Sequence, residues 1–260
     1  MLRNPSVWLG IFILTCMLTA CGGSEVDQRQ PAERNWQEEE LTWEALDVDP
    51  QVPGDPAART ESGDDFKQDE DLQRYFRQVT VQIQGPIYLG SGIVWAAYEE
   101  ALVIATAAHV TQDNSPMTVQ FGQGDPVEAR LIYAADQVDV AFLEVSLQEL
   151  EAQGIAWQVA WQNRETCERL KAGEPLWIMG SIEEAADRAY GGSVVDPWIY
   201  IEDFDNYMLL GHAYAIPGVS GGGVFTQEGI LVGILCGGNE ADQVAVLPWS
   251  VMEANRVSSF

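Results

Sequence analysis

The stretch YAIPGVSGGGVF, residues 214–225, places a single serine inside a run of glycines. Ser220 is preceded by Gly218 and followed by Gly221 and Gly222. Because glycine lets a backbone turn tightly, the pattern fits a flexible loop and equally a loop that presents a hydroxyl group to a cleft. The stretch alone does not separate these two interpretations.

Two other polar side chains stand at the ends of apolar segments. His109 lies in TAAHV, directly after the β-branched run LVIAT, and Asp139 opens the apolar segment DVAFLEV. Taken singly, such residues are usually a buried structural histidine and a turn aspartate. Together with Ser220 they are the three groups that nucleophilic catalysis by a hydroxyl requires.

Short apolar runs separated by turn residues fill the chain from about residue 74 onward. Many short strands at close spacing indicate antiparallel barrels, so the sequence predicts an all-β fold. A short helix is predicted near residues 147–153 and a terminal helix over residues 248–257, and no internal sequence repeat is visible. The predicted strands lie in QVTVQIQG, GIVWAAYEEALVIAT, MTVQFG, ARLIYA, VAFLEV, PLWIMG, GGSVVD, WIYIED, YMLLGHAYA, GGVFT, GILVGILCG and VAVLP.

The motifs SGIVW, TAAHV, DVAFLEV, GVSGG and GILCGG follow one another in an order that resembles the trypsin-like serine proteases, and among them the bacterial HtrA/Deg type. The resemblance spans about residues 74–255, with 30 residues from His109 to Asp139 and 81 from Asp139 to Ser220. It implies two six-stranded antiparallel β-barrels with a short C-terminal helix. His109 and Asp139 would come from the first barrel and Ser220 from the second.

The resemblance also implies a role for each of these residues. Ser220 would be the nucleophile, His109 the general base, and Asp139 the buried carboxylate that orients the imidazole. The backbone amides of Gly218 and Ser220 would form the oxyanion hole.

The same resemblance implies the substrate-binding residues. Tyr214 would form the floor of the primary specificity pocket, and because it is not acidic we expect cleavage after small or apolar residues. Cys236, Gly237 and Gly238 would offer backbone groups to an extended substrate. Cys236 also falls where relatives have Ser or Thr near the triad carboxylate, and a thiol is a weaker donor.

The chain departs from the family pattern around the serine. Val219 stands where digestive relatives have Asp and HtrA-type enzymes have Asn, so activation through an ion pair with a new N-terminus is not expected. Ile216 replaces another Asn, but Pro217 and Gly218 are kept, which favours the same turn. The sequence ends 40 residues after Ser220, so we expect a catalytic domain without the PDZ domain of HtrA proteins.

The first residues indicate a targeting signal. Arg3 precedes an apolar run over residues 7–19, and LTAC, ending at Cys21, resembles the lipobox of bacterial lipoproteins. The resemblance implies that residues 1–20 are removed and that Cys21 carries acyl chains such as palmitate. We expect an exported, cell-envelope lipoprotein anchored to a bacterial membrane. The alternative, an uncleaved membrane helix, needs about 20 apolar residues, and the run is shorter.

Residues 22–73 contain 16 acidic and 4 basic residues, a net charge of −12. Such a segment buries too little apolar surface to offset its ordering entropy, which predicts a disordered, extended tether over residues 21–73. Trp36 and Trp43 interrupt it. They are either part of a plain spacer or a short recognition element.

Composition excludes some functions. A net charge of −27 with 13 basic residues is incompatible with a nucleic-acid partner. No Cys or His spacing fits a metal site, so neither metal nor cofactor is expected. Cys16 leaves with the signal, and the distant Cys167 and Cys236 are either a disulfide or two buried thiols. His212 is expected to be structural, since the mechanism needs no second base.

The sequence therefore predicts a signal peptide over residues 1–20, a tether over residues 21–73 and a protease domain over residues 74–260. The expected function is a membrane-tethered, extracytoplasmic serine endopeptidase that acts on proteins or peptides. One alternative is a pseudoprotease that uses the same double barrel as a binding or sensory module. In another, the tryptophan-containing tether is the functional part. The oligomeric state is left open.

Overall fold

The computed structural model describes residues 70–86, 88–114, 116–180 and 189–256. The predicted signal peptide, the lipidation residue Cys21 and all but the last four residues of the predicted tether lie outside these ranges. Within them, no helix has the length and apolar character needed to cross a membrane.

In the part of the chain that the structure describes, twelve strands form two closed antiparallel barrels, so the predicted all-β fold is confirmed. The barrel strand orders are β1-β2-β3-β6-β5-β4 and β10-β11-β12-β9-β8-β7, which is the same connectivity used twice although no sequence repeat is visible. Closure pairs the outer strands with each other and so removes exposed sheet edges. The strands are β1 (Thr80–Gln84), β2 (Leu89–Ala97), β3 (Ala101–Thr106), β4 (Met117–Gln120), β5 (Val127–Ala134), β6 (Ala141–Ser146), β7 (Pro175–Met179), β8 (Ala189–Ile201), β9 (Asn206–Ala213), β10 (Gly223–Thr226), β11 (Leu231–Gly238) and β12 (Gln243–Pro248).

Helices are short and lie at the barrel margins. The predicted helix after β6 is present as α2, and the terminal helix α4 is shorter than its predicted range. Within the described ranges the α-helices are α1 (Glu70–Val79), α2 (Leu147–Gln153), α3 (Arg164–Glu168) and α4 (Trp249–Ala254), and 3-10 helices cover Ala108–Asn114 and Glu202–Phe204.

Three apolar clusters hold the domain together. One fills the first barrel around Ile83, Ile104 and Leu143, and a second fills the other barrel around Ile178 and Val224. The third and largest cluster lies between the barrels and combines residues of both. Its aromatic members are Tyr75, Phe76, Trp95, Phe142, Trp177, Phe204, Phe225 and Trp249. The two barrels are therefore packed on one another through a continuous core.

Helix α1 was not predicted from the sequence, and it crosses the predicted start of the protease domain. Its Phe76 is fully buried, with the ring centroid 4.9 Å from that of Phe225 in the second barrel. Tyr75 accepts a hydrogen bond from the Trp161 backbone N–H at 2.6 Å and donates one to the Gly229 carbonyl at 3.1 Å. Burial raises the pKa of the Tyr75 hydroxyl, so it stays a donor. The helix thus packs as part of the domain.

Strand β8 also differs from the prediction, because the segments predicted as two strands, GGSVVD and WIYIED, are one strand of 13 residues. Pro197 stands within it. The register of β8 against β9 shifts between Asp196 and Ile199, so Pro197 and Trp198 make no ladder pair with β9. The missing N–H of proline therefore costs no hydrogen bond at this irregularity.

Candidate active site

The structure places His109 and Asp139 side by side. β3 and β6 are antiparallel neighbours with Thr106 opposite Ala141, so the residue that follows one strand lies next to the residue that precedes the other. His109 lies in the 3-10 helix after β3, and Asp139 stands two residues before β6. They are 8% and 2% exposed. The strand pairing therefore brings together two polar groups that are far apart in sequence.

Both carboxylate oxygens of Asp139 bind the same histidine. The His109 backbone N–H donates to Oδ1 at 3.0 Å, and His109 Nδ1 lies 2.8 Å from Oδ2. An ionised carboxylate is only an acceptor, so the proton belongs on Nδ1. Nε2 is then the acceptor nitrogen of the ring. The pair thus fixes the orientation of the imidazole and its tautomer, as a general base requires.

Ser220 lies on a tight loop before β10. The Gly221 N–H donates to the Leu235 carbonyl at 2.7 Å, and the Leu235 N–H donates to the Gly222 carbonyl at 2.9 Å. These bonds fasten the loop to β11. Ser220 is 2% exposed, and its Oγ makes no hydrogen bond to any residue that the structure describes. A hydroxyl that is buried without a hydrogen bond lowers the stability of the fold by about 1–3 kcal/mol. Such a position calls for a functional explanation.

Ser91 of β2 connects the serine loop to the first barrel. Its backbone N–H donates to the Ser220 carbonyl at 2.8 Å, and its Oγ donates to the Gly218 carbonyl at 2.8 Å. Thr106, three residues before His109, donates in turn to the Ser91 carbonyl at 2.7 Å. Sequence reasoning assigned no role to Ser91 or Thr106, although Ser91 opens the quoted motif SGIVW. These bonds hold the serine loop beside the end of β3.

Gly221 is packed closely against the ends of β2 and β3 where the serine loop meets the first barrel. It has φ +80°, and a Cβ added there would overlap Thr106 Oγ1 and the Ser91 carbonyl and lie 2.9 Å from the Ala107 nitrogen. Only glycine allows both the left-handed backbone and the close approach. The residue after Ser220 thus touches the segment that leads directly into His109.

We expect Gly221→Ala to lower the free energy of unfolding by about 2–5 kcal/mol, the combined cost of a left-handed alanine and of an overfilled contact. Gly173→Ala is the matched control, since Gly173 has φ +85° and nothing within 4 Å of an added Cβ. Urea unfolding of both variants checks this. Equal destabilisation by the two substitutions would contradict the close contact at Gly221.

Cys236 of β11 lies on the other side of Asp139. The register against β12 shifts between Leu235 and Gly237, so Cys236 is the extra residue of a β-bulge, a feature that redirects a side chain. Its Sγ lies 3.7 Å from the Asp139 carbonyl. Burial, and then the Asp139 carboxylate, raise the pKa of Cys236 well above its usual value, so the thiol stays neutral. β11 therefore contacts both the serine loop and Asp139.

The two cysteines of the domain are free thiols. Cys167 donates to the Leu231 carbonyl at 3.3 Å, and burial raises its pKa to about 11. The sequence left open whether Cys167 and Cys236 form a disulfide or remain thiols, and in the structure they are two separate thiols. The described residues also contain no group of three His, Cys, Asp or Glu side chains suited to a metal ion.

The turn at residues 216–219 fixes the direction of the Gly218 amide. The Val219 N–H donates to the Ile216 carbonyl at 3.3 Å, and Gly218 has φ +92°. Proline followed by a residue with positive φ is the pattern of a type II turn, which differs from type I by a flip of the central peptide. Neither Gly218 N–H nor Ser220 N–H donates a hydrogen bond to a described residue. Both amides are therefore available to a ligand oxygen.

Val219 is an apolar side chain at a position where relatives have Asp or Asn. Its side chain is fully buried in the second barrel core and lies against Gly180. The turn geometry survives both the Val219 and the Ile216 departures. Burial of Val219 supplies the hydrophobic attachment that keeps the loop in place.

The remaining predicted residues lie around the second barrel. Tyr214 follows β9 and is 53% exposed, with its ring centroid 6.3 Å from that of Tyr190. Gly237 and Gly238 pair with β12, whereas β11 pairs with β10 only as far as Ile234. Within the described residues, the other edge of this glycine segment is thus unpaired. His212 lies inside the sheet, opposite Ser193 and Gln243.

Comparisons with known proteins agree with this architecture. The sequence model of the family described as "Trypsin-like peptidase domain" matches residues 90–234. A protein named "Serine protease HtrA-like" from Staphylococcus aureus (strain bovine RF122 / ET3-1) is 27% identical over 161 residues, which is 56% of this chain and 20% of that protein. The chain thus corresponds to about a fifth of the length of this curated relative.

Two crystal structures of the Rv3671c protease share the fold. The first, an inactive form, has a TM-score of 0.61 at 19% identity and covers 75% of this chain and 95% of its own. The second, an inactive serine-to-alanine mutant from M. tuberculosis H37Rv, has a TM-score of 0.57 at 18% identity, with coverages of 82% and 94%.

Proposed function

Since this chain belongs to the family of trypsin-like peptidase domains, we propose that it is a serine endopeptidase that uses Ser220, His109 and Asp139. One observation carries the proposal. A histidine held by both oxygens of a buried carboxylate follows β3, and the end of β3 contacts the loop that carries the buried Ser220.

In the proposed reaction, Ser220 Oγ attacks the carbonyl carbon of a peptide bond while His109 Nε2 takes the hydroxyl proton. The carbonyl oxygen becomes an oxyanion that accepts hydrogen bonds from the Gly218 and Ser220 amides. His109 then gives its proton to the leaving amine, and the peptide bond breaks to leave an acyl-enzyme. Water, deprotonated by His109, hydrolyses the ester. Asp139 stays ionised and stabilises the imidazolium.

The unpaired edge of Gly237 and Gly238 supports a substrate position. An extended peptide there would add an antiparallel strand next to β11, the strand that the serine loop also contacts. Tyr214 carries no charge to attract Lys or Arg, so we propose a preference for small or apolar residues before the cleaved bond.

Hydrolysis of unfolded casein tests the proposal, with His109→Ala as the matched inactive variant. New amino groups released by the native chain and not by His109→Ala would support an endopeptidase. No release by a folded chain would favour the alternative, a catalytically impaired binding module. The observation in favour of that alternative is that neither Ser220 Oγ nor His109 Nε2 has a hydrogen-bond partner among the described residues, so the two atoms are not bonded to each other. Catalytic hydrogen bonds often tighten only when substrate binds, so we prefer the enzyme.

We also propose that the domain is held at a bacterial membrane through acyl chains on Cys21, with residues 21–73 as the tether. The sequence LTAC supports this proposal, which applies to residues that the structure does not describe. We expect Cys21→Ser to move the protein from the membrane fraction to the soluble fraction, because the variant has no thiol at residue 21 to carry the acyl chains. Cys16→Ser is the control and should stay in the membrane fraction. A Cys21→Ser protein that remains there would refute the anchor.

A further inference from the structure

Three exposed aromatic rings cover the outer surface at the far end of strands β8 and β9. Trp198, Tyr200 and Tyr207 are 50%, 45% and 48% exposed. The rings of Trp198 and Tyr207 are stacked, with centroids 5.5 Å apart and an interplanar angle of 7°. Tyr200 meets Tyr207 at 5.5 Å and 67°. We call these three side chains the aromatic face.

Strand alternation explains why the aromatic face points outward. Tyr200 stands opposite Tyr207 in the register, and the adjacent residues Ile201 and Met208 are buried in the core. The inner side of the hairpin thus supplies the core, and the rings on its outer side are not needed to cover it. Contiguous exposed apolar surface on a soluble domain commonly marks a site of interaction.

The hairpin that carries the aromatic face is rich in carboxylates. Residues 189–213 contain Asp196, Glu202, Asp203 and Asp205 and no Lys or Arg. Asp205 accepts a hydrogen bond from the Tyr200 hydroxyl, and Asp196 accepts one from the Trp198 backbone N–H at 2.9 Å. Each carboxylate has further acceptor positions. Carboxylate oxygens of Asp196 and Asp205 therefore lie beside the aromatic face, and the hairpin carries no Lys or Arg whose charge would offset theirs.

A groove of about 330 Å³ lies beside the aromatic face and shares Trp198 with it. Its lining includes the apolar side chains of Leu170, Leu209 and Val232 and the carboxylate residue Glu168. The two arginines of the adjacent segment are paired locally, Arg164 with Glu168 at 3.4 Å and Arg169 with Glu165 at 2.7 Å. An apolar side chain would fit the groove while a cation rests on the neighbouring rings.

We propose that the aromatic face and its groove form a docking surface for a cationic polypeptide segment, with Arg or Lys on the rings and an apolar residue in the groove. A guanidinium group stacks on aromatic rings and donates to carboxylates at the same time, and this surface offers both. Charge complementarity selects this occupant. The chain has a net charge of −27. The acidic surface therefore repels both the acidic residues 21–73 of the same chain and a second copy of the chain.

The docking surface is separate from the candidate active site. Tyr190, whose ring lies 6.3 Å from that of Tyr214, stands at the start of β8, and Trp198 lies eight residues beyond Tyr190 on the same strand. At about 3.3 Å per residue the two ends are roughly 25 Å apart. The proposal therefore does not depend on the proposed peptidase activity.

Fluorescence anisotropy of a labelled, blocked peptide Gly-Arg-Leu-Arg-Leu-Arg-Gly tests the proposal at physiological salt. The full chain carries Ser220→Ala throughout, so that the probe is not cleaved. We expect the combined variant Trp198→Ala, Tyr207→Ala to bind about tenfold more weakly, because two exposed cation–π contacts are lost. A peptide with citrulline in place of each Arg should lose binding similarly.

A charge variant keeps the test informative if the aromatic variant does not fold. Glu202→Gln with Asp203→Asn should weaken binding several-fold, whereas Glu149→Gln with Glu151→Gln, exposed carboxylates of α2, should leave it unchanged. Equal affinity across all variants would overturn the proposal, as would equal binding of the citrulline peptide. Binding of an N-acetylglucosamine hexamer that the aromatic variant loses would also overturn it and assign the surface to a glycan.

Discussion

Ser220→Ala is expected to lower kcat/KM for a peptide substrate by about 10⁴-fold or more, because a methyl group cannot attack the carbonyl carbon. Ser146→Ala is the matched control, since that hydroxyl makes no capping hydrogen bond and lies away from the cleft. Steady-state hydrolysis of a chromogenic peptide measures both variants. Residual activity of Ser220→Ala within tenfold of the native chain would contradict the assignment.

The same variant has a second expected result in stability. Ser220 Oγ is buried and makes no hydrogen bond to a described residue, so its removal should leave the free energy of unfolding unchanged or raise it by about 1–2 kcal/mol. Urea unfolding measures this. A clear loss of stability would instead mean that the hydroxyl is a structural group, which would weaken its assignment as the nucleophile.

Asp139→Asn is expected to lower kcat by about 10⁴-fold while KM changes little. The reason lies in the two bonds of the carboxylate. The His109 backbone N–H can only donate, so the amide oxygen of an asparagine must take the place of Oδ1. Its NH₂ group then faces Nδ1 and donates to it, which moves the ring proton to Nε2. A protonated Nε2 cannot accept the proton of Ser220.

Asp136→Asn is the control for this prediction, because Asp136 is an exposed carboxylate three residues earlier. The combined variant Asp139→Asn, Ser220→Ala should be no less active than Ser220→Ala alone, since groups that act as a unit are not additive. A loss below tenfold in Asp139→Asn would mean that the carboxylate does not set the tautomer of His109.

The barrels and the site were largely predictable because their signals are local. Short apolar runs marked nearly every strand, and polar groups at the ends of two runs marked His109 and Asp139, which the structure places in contact. The order of the motifs then allowed His109, Asp139 and Ser220 to be grouped before their contacts were known. The His109 and Asp139 contact itself follows from the pairing of β3 with β6.

The missed features depend on contacts that are distant in sequence. The sequence of α1, EDLQRYFRQV, continues an acidic segment and contains only three buried residues, Tyr75, Phe76 and Val79. The partners of Phe76 and Tyr75 lie in the second barrel, about 150 residues later. Pro197 similarly hid the continuity of β8, because only the observed register shows that its position makes no ladder pair. The role of Ser91 could not be read from its type, since its partners in the serine loop are the backbone carbonyls of Gly218 and Ser220.

The most direct test of the account is the site of reaction with diisopropyl fluorophosphate. In the proposed mechanism Ser220 Oγ forms a bond to phosphorus, fluoride leaves, and His109 takes the hydroxyl proton. Peptide mapping by mass spectrometry should find one adduct per chain, on Ser220, and none in His109→Ala. A folded native chain that gains no adduct, or gains it on another residue, would contradict the central claim that this cleft activates Ser220.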